Sequence, residues 1–353
     1  MLVRRRWGQK MRLAVLDQST VVTGRTPADS IRETLSLARH CEALGYSRYW
    51  LAEHHNSEAV AGAAPEVLLG ALAATTEKIR LGSAGIMLPH YSSLKVAEQF
   101  RVLEALAPGR IDMGLGRAPG SDGLTAHALN PNAAMAADHF PAQVRDLLAW
   151  VSGAPLVEKH PFRGIVAQPA GPTVPEAWIL GSSDYGAQVA AHFGLPYCFA
   201  HFITDGHGCA EAIALYRDTY RPSQRHPAPY ASVCVWALAA ETEAAADYHY
   251  SARALWRLSR DRGVFVAMPS PAEAAAHDWT EAERARAERH RARAFVGTGT
   301  RVAEKLRALA ADLGVQEVAI LSTAHDPAAR RASYTLIAEA AALRAGDVAL
   351  AAE

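Results

Sequence analysis

Ala52-Glu53-His54-His55-Asn56, Gly82-Ser83-Ala84-Gly85-Ile86-Met87-Leu88-Pro89 and Gly114-Leu115-Gly116-Arg117-Ala118-Pro119-Gly120 are three stretches of one kind. Each stands at the carboxyl end of an apolar run of strand length. Each is followed by a stretch with apolar residues at helical spacing. Polar and glycine-rich chemistry repeated at the ends of successive strands is where a (β/α)8 barrel keeps its active site.

Working outward, the same alternation runs along the chain. Strands are expected at 13–16, 49–52, 79–87, 111–115, 178–180, 197–202, 231–239 and 318–321. Helices are expected at 27–44, 65–76, 94–106, 134–151, 185–193, 209–219, 300–313 and 327–344. Gly45 and the turn Ala107-Pro108-Gly109 mark stops between them. Eight βα units predict an α/β chain of the TIM-barrel type, with right-handed crossovers closing a parallel sheet. The runner-up is an open doubly wound sheet, disfavoured because no GxGxxG follows the first strand. Insertions are expected after strands four and seven. The second, about 241–298, is helical, charged and alanine-rich, and too long for an ordinary loop. Residues 11–353 therefore read as a single domain, with 153–175 a loop excursion.

Composition narrows the function. The 353 residues are 50% hydrophobic and carry 36 basic against 36 acidic side chains, with no long run of one sign. Neither nucleic acid nor a membrane surface is called for as a partner. No apolar run approaches the roughly 20 residues that cross a bilayer. The opening Met1-Leu2-Val3-Arg4-Arg5-Arg6-Trp7 is basic, but the apolar stretch 13–16 stops at Asp17, too short for a signal sequence. Residues 1–10 read as a disordered arm, Met11 as an alternative start, and the location as cytoplasmic. Cys41, Cys198, Cys209 and Cys234 lack metal-ligand spacing and read as buried small apolar residues.

The candidate chemistry lies at the strand ends. Adjacent residues leaving a strand point to opposite sides, so His54 and His55 are not expected to chelate one metal. One can face the barrel mouth, with a pKa near working pH, while the other packs sideways; both being structural is the open alternative. Ala84 and Gly85 are small enough for a flat ring to lie against them, or for strands to pack tightly. Arg117 follows two glycines and can grip phosphate oxygens, or is a surface loop arginine with no ligand. Ser182, Ser183 and Gly186 sit at the start of a helix, as a phosphate cradle or as a plain N-cap.

Together these motifs resemble the bacterial luciferase-like flavin-dependent monooxygenases. The resemblance runs from about residue 11 to 200 and more weakly from 295 to 343. Further residues carrying it are Tyr49-Trp50-Leu51, Ala97-Glu98-Gln99-Phe100, Pro108-Gly109-Arg110-Ile111-Asp112 and Ala190-Ala191-His192-Phe193-Gly194-Leu195-Pro196. The run 114–122 is most similar to a single-chain subgroup from secondary metabolism, including antibiotic biosynthesis. The resemblance implies a TIM barrel that binds reduced FMN non-covalently, with His54 catalytic and Arg117 on the FMN phosphate. Ser182, Ser183 and Gly186 would form the phosphate loop. Ala84-Gly85 would lie under the flavin ring, where the luciferase has a non-proline cis peptide. It implies a separate NAD(P)H:flavin reductase, O2 attack at flavin C4a to give a hydroperoxide, and oxygenation of a small organic substrate. A homodimer is compatible with it. Two departures from the luciferase, Gly116 in place of the reactive cysteine of its catalytic chain and the long segment after strand seven, speak against long-chain aldehyde oxidation and light emission. Two rivals remain: an F420-dependent hydride-transfer enzyme on the same fold, and a non-catalytic flavoprotein.

Overall fold

The structure is a computed structural model, and it describes residues 11–345. The expected arm over residues 1–10 lies outside them. The described residues form ten strands: β1 (Arg12–Asp17), β2 (Arg48–Leu51), β3 (Arg80–Ser83), β4 (Ile86–Met87) and β5 (Ile111–Gly116) come first. Then follow β6 (Glu176–Gly181), β7 (Tyr197–Phe199), β8 (Ala231–Ala240), β9 (Phe295–Thr298) and β10 (Glu317–Leu321). Eight of them close a parallel barrel in the order β1-β2-β3-β5-β6-β7-β8-β10, with β10 pairing back on β1.

Strand periodicity divides the core in two. Leu13, Val15, Tyr49, Leu51, Leu81, Ile111 and Met113 point outward into one continuous apolar layer beneath the helices. Ala14, Leu16, Trp50, Trp178, Cys198 and Cys234 point inward and fill the barrel. Each fully buried Leu, Ile or Phe in the outer layer contributes roughly 1.5–3 kcal/mol. The outer ring begins with α1 (Pro27–Leu44), and its sequence explains both ends. Thr26 and Asp29 form a reciprocal capping box, Pro27 opens the first turn, and Gly45 ends the helix at φ 87°. α2 (Pro65–Ala73) and α3 (Ser93–Leu106) continue the ring.

The insertion expected after the fourth barrel strand is partly helical. Asp122 accepts from the Thr125 amide and starts α4 (Gly123–Leu129), followed by α5 (Ala133–Asp138) and α6 (Phe140–Ser152). The proline-rich excursion 153–175 is tied down by Arg101, which donates to the carbonyls of Val151, Pro169 and Thr173. Beyond β6 come α7 (Asp184–Phe193), α8 (His201–Thr204) and α9 (Cys209–Asp218). Strand β7 is shorter than expected because α8 begins at His201.

Between β8 and β9 lie α10 (Glu243–Asp261), α11 (Pro271–Ala276) and α12 (Glu281–Arg293). The last four residues of the stretch expected to be helical instead form β9, which pairs in parallel with the far end of β8, Ala237 to Ala240. The helical segment packs over the carboxyl ends of the first strands. Trp256 and Met268 cluster with Val22 and Ala59, and Met268 bonds to Val21 through the backbone. α13 (Gly299–Leu313) and α14 (Pro327–Ala340) complete the ring.

The amino end of the barrel is plugged by charge. Buried Arg48 pairs with Asp112 at 2.7 Å and Glu317 at 2.9 Å, while Arg80 pairs with Asp112 at 2.6 Å. Trp50 donates to Asp112 at 2.9 Å and stacks edge-on against Trp178. Breaking one partner of such a buried network costs about 3–5 kcal/mol. With that end sealed, the open end lies at the strands' carboxyl termini.

Candidate active site

A cavity of about 460 Å³ occupies that open end. Its walls come from successive strand ends: Gln18 after β1, His54 after β2, Ala84 and Gly85 after β3, Arg117 after β5, and Ser182 after β6. The remainder is mostly apolar, including Trp50, Phe140, Leu180 and Phe202. All seven site residues expected from sequence line this one cavity.

The two histidines part company as they leave β2. His54 is held by its backbone amide on the Gly62 carbonyl and turns its ring into the cavity. Its Nδ1 is buried and has no hydrogen-bond partner. His55 turns away, its Nε2 lying 2.8 Å from Oε1 of Glu53. Glu53 is fully buried, and also accepts from the Tyr91 hydroxyl at 2.7 Å and the Met87 amide at 3.0 Å. His55 and Glu53 thus fasten the end of β2 to the segment after β3. The expected near-neutral pKa for the cavity-facing histidine is corrected. Burial pushes His54 down to about 4, and the nearby Arg260 guanidinium adds to the effect. The ring is therefore neutral at physiological pH, able to accept or donate one hydrogen bond.

The single long strand expected over 79–87 is broken in two. The Ala84–Gly85 peptide bond, which lies on the cavity wall, is cis. Close approach of neighbouring strands fixes the glycines here. A Cβ on Gly114 would sit 2.1 Å from the Ser83 carbonyl oxygen, and one on Gly82 would sit 2.6 Å from Asp112. The tight-packing reading thus holds for Gly82, Gly114 and also Gly85, where a Cβ would lie 2.8 Å from the Gly114 carbonyl oxygen; Ala84, Gly85 and Gly116 line the cavity with small surfaces. Gly116 is backed by Met87, whose Cε would lie 3.2 Å from an added Cβ.

Across the cavity, Arg117 leaves β5 and lays its guanidinium over the ring of Tyr185, 4.0 Å from the centroid. It makes no ion pair among the described residues, so its hydrogen-bonding edge is free. Ser183 occupies the N-cap position of α7, yet its side chain makes no capping bond. The plain-cap reading fails, and the first-turn amides of α7 keep their donors. Gly186 is buried in the first turn of α7, where an added Cβ would meet the Tyr197 ring at 3.4 Å, an ordinary packing contact. A free guanidinium, two free hydroxyls and a helix N-terminus form a corner that can hold a phosphate.

Two participants were not expected from sequence. Tyr185 supports Arg117, and its only local signal is an aromatic directly after the Ser-Ser-Asp run. Arg260 reaches the cavity from α10. Its signal is the spacing of Arg253, Arg257 and Arg260, which places three guanidiniums on one helical face. Cys198 and Cys234 also line the cavity, but burial pushes the Cys198 thiol up to about 12 and that of Cys234 well above its usual value. Neither thiol is poised as a nucleophile.

Comparison with known proteins agrees with this geometry. The family described as luciferase-like monooxygenase matches residues 11–317. An N-acetyl-S-alkylcysteine monooxygenase of Bacillus subtilis is 36% identical over 332 residues, covering 94% of this chain and 98% of that protein. The crystal structure of apo-MsnO8 superposes with a TM-score of 0.84 at 35% identity, over 94% of this chain and 99% of the other. The oxygenating constituent of 3,6-diketocamphane monooxygenase from Pseudomonas putida, in complex with FMN, shares the fold at 18% identity and a TM-score of 0.65, over 94% and 97% of the two chains. With the family matched across most of its length and the same strand ends gathered at one cavity, this chain belongs to the luciferase-like monooxygenases.

Proposed function

We propose that the chain is the oxygenase half of a two-component system, receiving reduced FMN from a separate NAD(P)H:flavin reductase and oxygenating a small organic substrate with O2. The observation that carries the reading is that Arg117, Ser182 and Ser183, with donors free among the described residues, line the same cavity as the unpartnered, neutral His54. The residues present fit FMN. Arg117 and the Ser182-Ser183 corner match its phosphate, and the Ala84-Gly85 wall leaves room for a flat ring. The FMN named with the diketocamphane enzyme is in keeping with this choice.

When bound, reduced FMN would supply the activation of O2 and the oxidising equivalents. The protein's share is to position, to shield and to manage a proton. Arg117, held over Tyr185, would anchor one end of the cofactor. Trp50, Phe140, Leu180 and Phe202 would exclude water from the reacting region. His54, kept neutral by burial, would accept a proton at one ring nitrogen and return it when the substrate step is complete. His55 and Glu53 would hold the histidine loop without touching substrate.

A reconstitution tests this reading. The purified chain with FMN and NADH or NADPH should consume no nicotinamide. In a single turnover, FMN reduced by a separate flavin reductase and mixed with O2 should release its peroxide more slowly when the chain is present. Nicotinamide oxidation by the chain alone, or a rate of peroxide release indifferent to the chain, would contradict it.

A further inference from the structure

We infer that Arg260 selects a substrate bearing an anionic group, a carboxylate on a compact apolar body. The inference rests on the oxygenase reading only for where the flavin sits. α10 carries Arg253, Arg257 and Arg260 on one face, turned toward the barrel mouth. Their intramolecular counter-charges are already engaged. Asp205 holds Arg257 in a two-pronged pair at 2.9 and 2.6 Å, and Asp261 is taken by Arg286 at 2.7 Å. Arg253 is buried against the face of Trp236 at 3.9 Å, with no acidic partner among the described residues. Arg260 likewise has no ion pair and no side-chain hydrogen bond there; its guanidinium stands near the Trp256 ring, 5.3 Å from the centroid.

What sets Arg260 apart is its place. It lines the same cavity as His54, and its charge is one of the influences acting on that ring. The flavin-phosphate corner is on β5 and β6, and β6 stands opposite β1 in the eight-stranded ring. His54 leaves the neighbouring β2. The cavity thus carries two guanidiniums, Arg117 beside the β5–β6 corner and Arg260 acting on His54, and one flavin phosphate would engage only the first. The wall between is apolar: Leu16, Trp50, Ala52, Phe202 and Ile203. A guanidinium with its edge free matches a carboxylate through two parallel hydrogen bonds, which fixes orientation as well as charge. An anionic substrate anchored at Arg260 would present its apolar body beside His54 and the flavin face. A cation in the last turn of α10 also suits the helix dipole, a role that affects stability and not the choice between ligands.

The probes are hexanoate and hexanamide, equal in size and differing in charge, titrated by calorimetry into the FMN-saturated protein. Hexanoate should bind the native protein about ten-fold or more tightly than hexanamide, the scale of a charge-assisted hydrogen-bonded pair. Arg260→Gln should bring the two together, and Arg260→Lys should restore part of the preference. FMN affinity should be unchanged in both variants. Equal binding of the two probes by native protein, or a preference that survives Arg260→Gln, would overturn the inference. Loss of FMN binding in Arg260→Gln would also overturn it, by moving Arg260 to the flavin phosphate. An Arg260-dependent carboxylate preference in a protein that binds no FMN, measured without the cofactor, would support the anion site and sink the flavin reading.

Discussion

The guanidinium of Arg117 lies 4.0 Å from the centroid of the Tyr185 ring, joining the end of β5 to the first turn of α7. Stacking orients the fork of nitrogens without using its hydrogen bonds, which leaves them for an anion. Arg117→Ala should weaken FMN binding about ten-fold or more, while Tyr185→Leu should weaken it less, by loosening the arginine. Because Arg117 is exposed, neither change should move the melting temperature much. An unaltered FMN titration in Arg117→Ala would remove the residue from the site.

His54 and His55 differ in what they touch, so their replacements should fail differently. His54→Ala should leave FMN affinity within a few-fold and lower oxygenation by about 100-fold, the scale of a lost acid–base group. His55→Ala should keep turnover within several-fold and lower thermal stability, because buried Glu53 loses a partner. Single-turnover product yield, read beside melting curves, separates them. The reverse pattern would show that the wrong histidine has been assigned.

Burial of His54 also sets a pH dependence. The folded pKa, about 4, lies below the unfolded value near 6.5, so the unfolded chain binds more protons between them. This contribution is fully present above about pH 6.5 and is lost as pH falls toward 4. It amounts to roughly 1–3 kcal/mol, discounted for the ring's partial accessibility. Denaturant unfolding of native protein and His54→Gln at pH 7 and 4.5 should show the native protein losing more stability on acidification. Equal losses would mean that His54 is not desolvated.

Two neighbouring glycines should respond in opposite ways. Gly114→Ala drives a Cβ into the Ser83 carbonyl, where only backbone could yield, and should destabilise by about 1–3 kcal/mol or more. Gly116→Ala meets only the flexible end of Met87 and should fold normally. Melting temperatures of the two variants check the contrast.

The barrel was legible because eight strands and eight helices each carry their own local period, from Leu13 and Val15 to Ile320. The corner formed by Arg117, Ser182 and Ser183 was legible for the same reason, since each residue stands next to a strand end. Arg260 was not, because nothing local says that α10 folds back over the mouth; Trp256 and Met268 docking on Val22 decides it. β9 was hidden inside a helical composition, as four residues recruited by the free end of β8. The neutrality of His54 was also out of reach. Its pKa depends on burial and on Arg260, a residue more than 200 positions away.

The central claim is that this cavity holds reduced FMN. Its most direct test is an anaerobic titration of the protein with reduced FMN, followed by flavin fluorescence, with oxidised FMN and reduced F420 titrated in parallel. The account predicts saturable binding of reduced FMN at one site, tighter than either alternative and weakened by Arg117→Ala. Absence of reduced-FMN binding, or a preference for reduced F420, would contradict it.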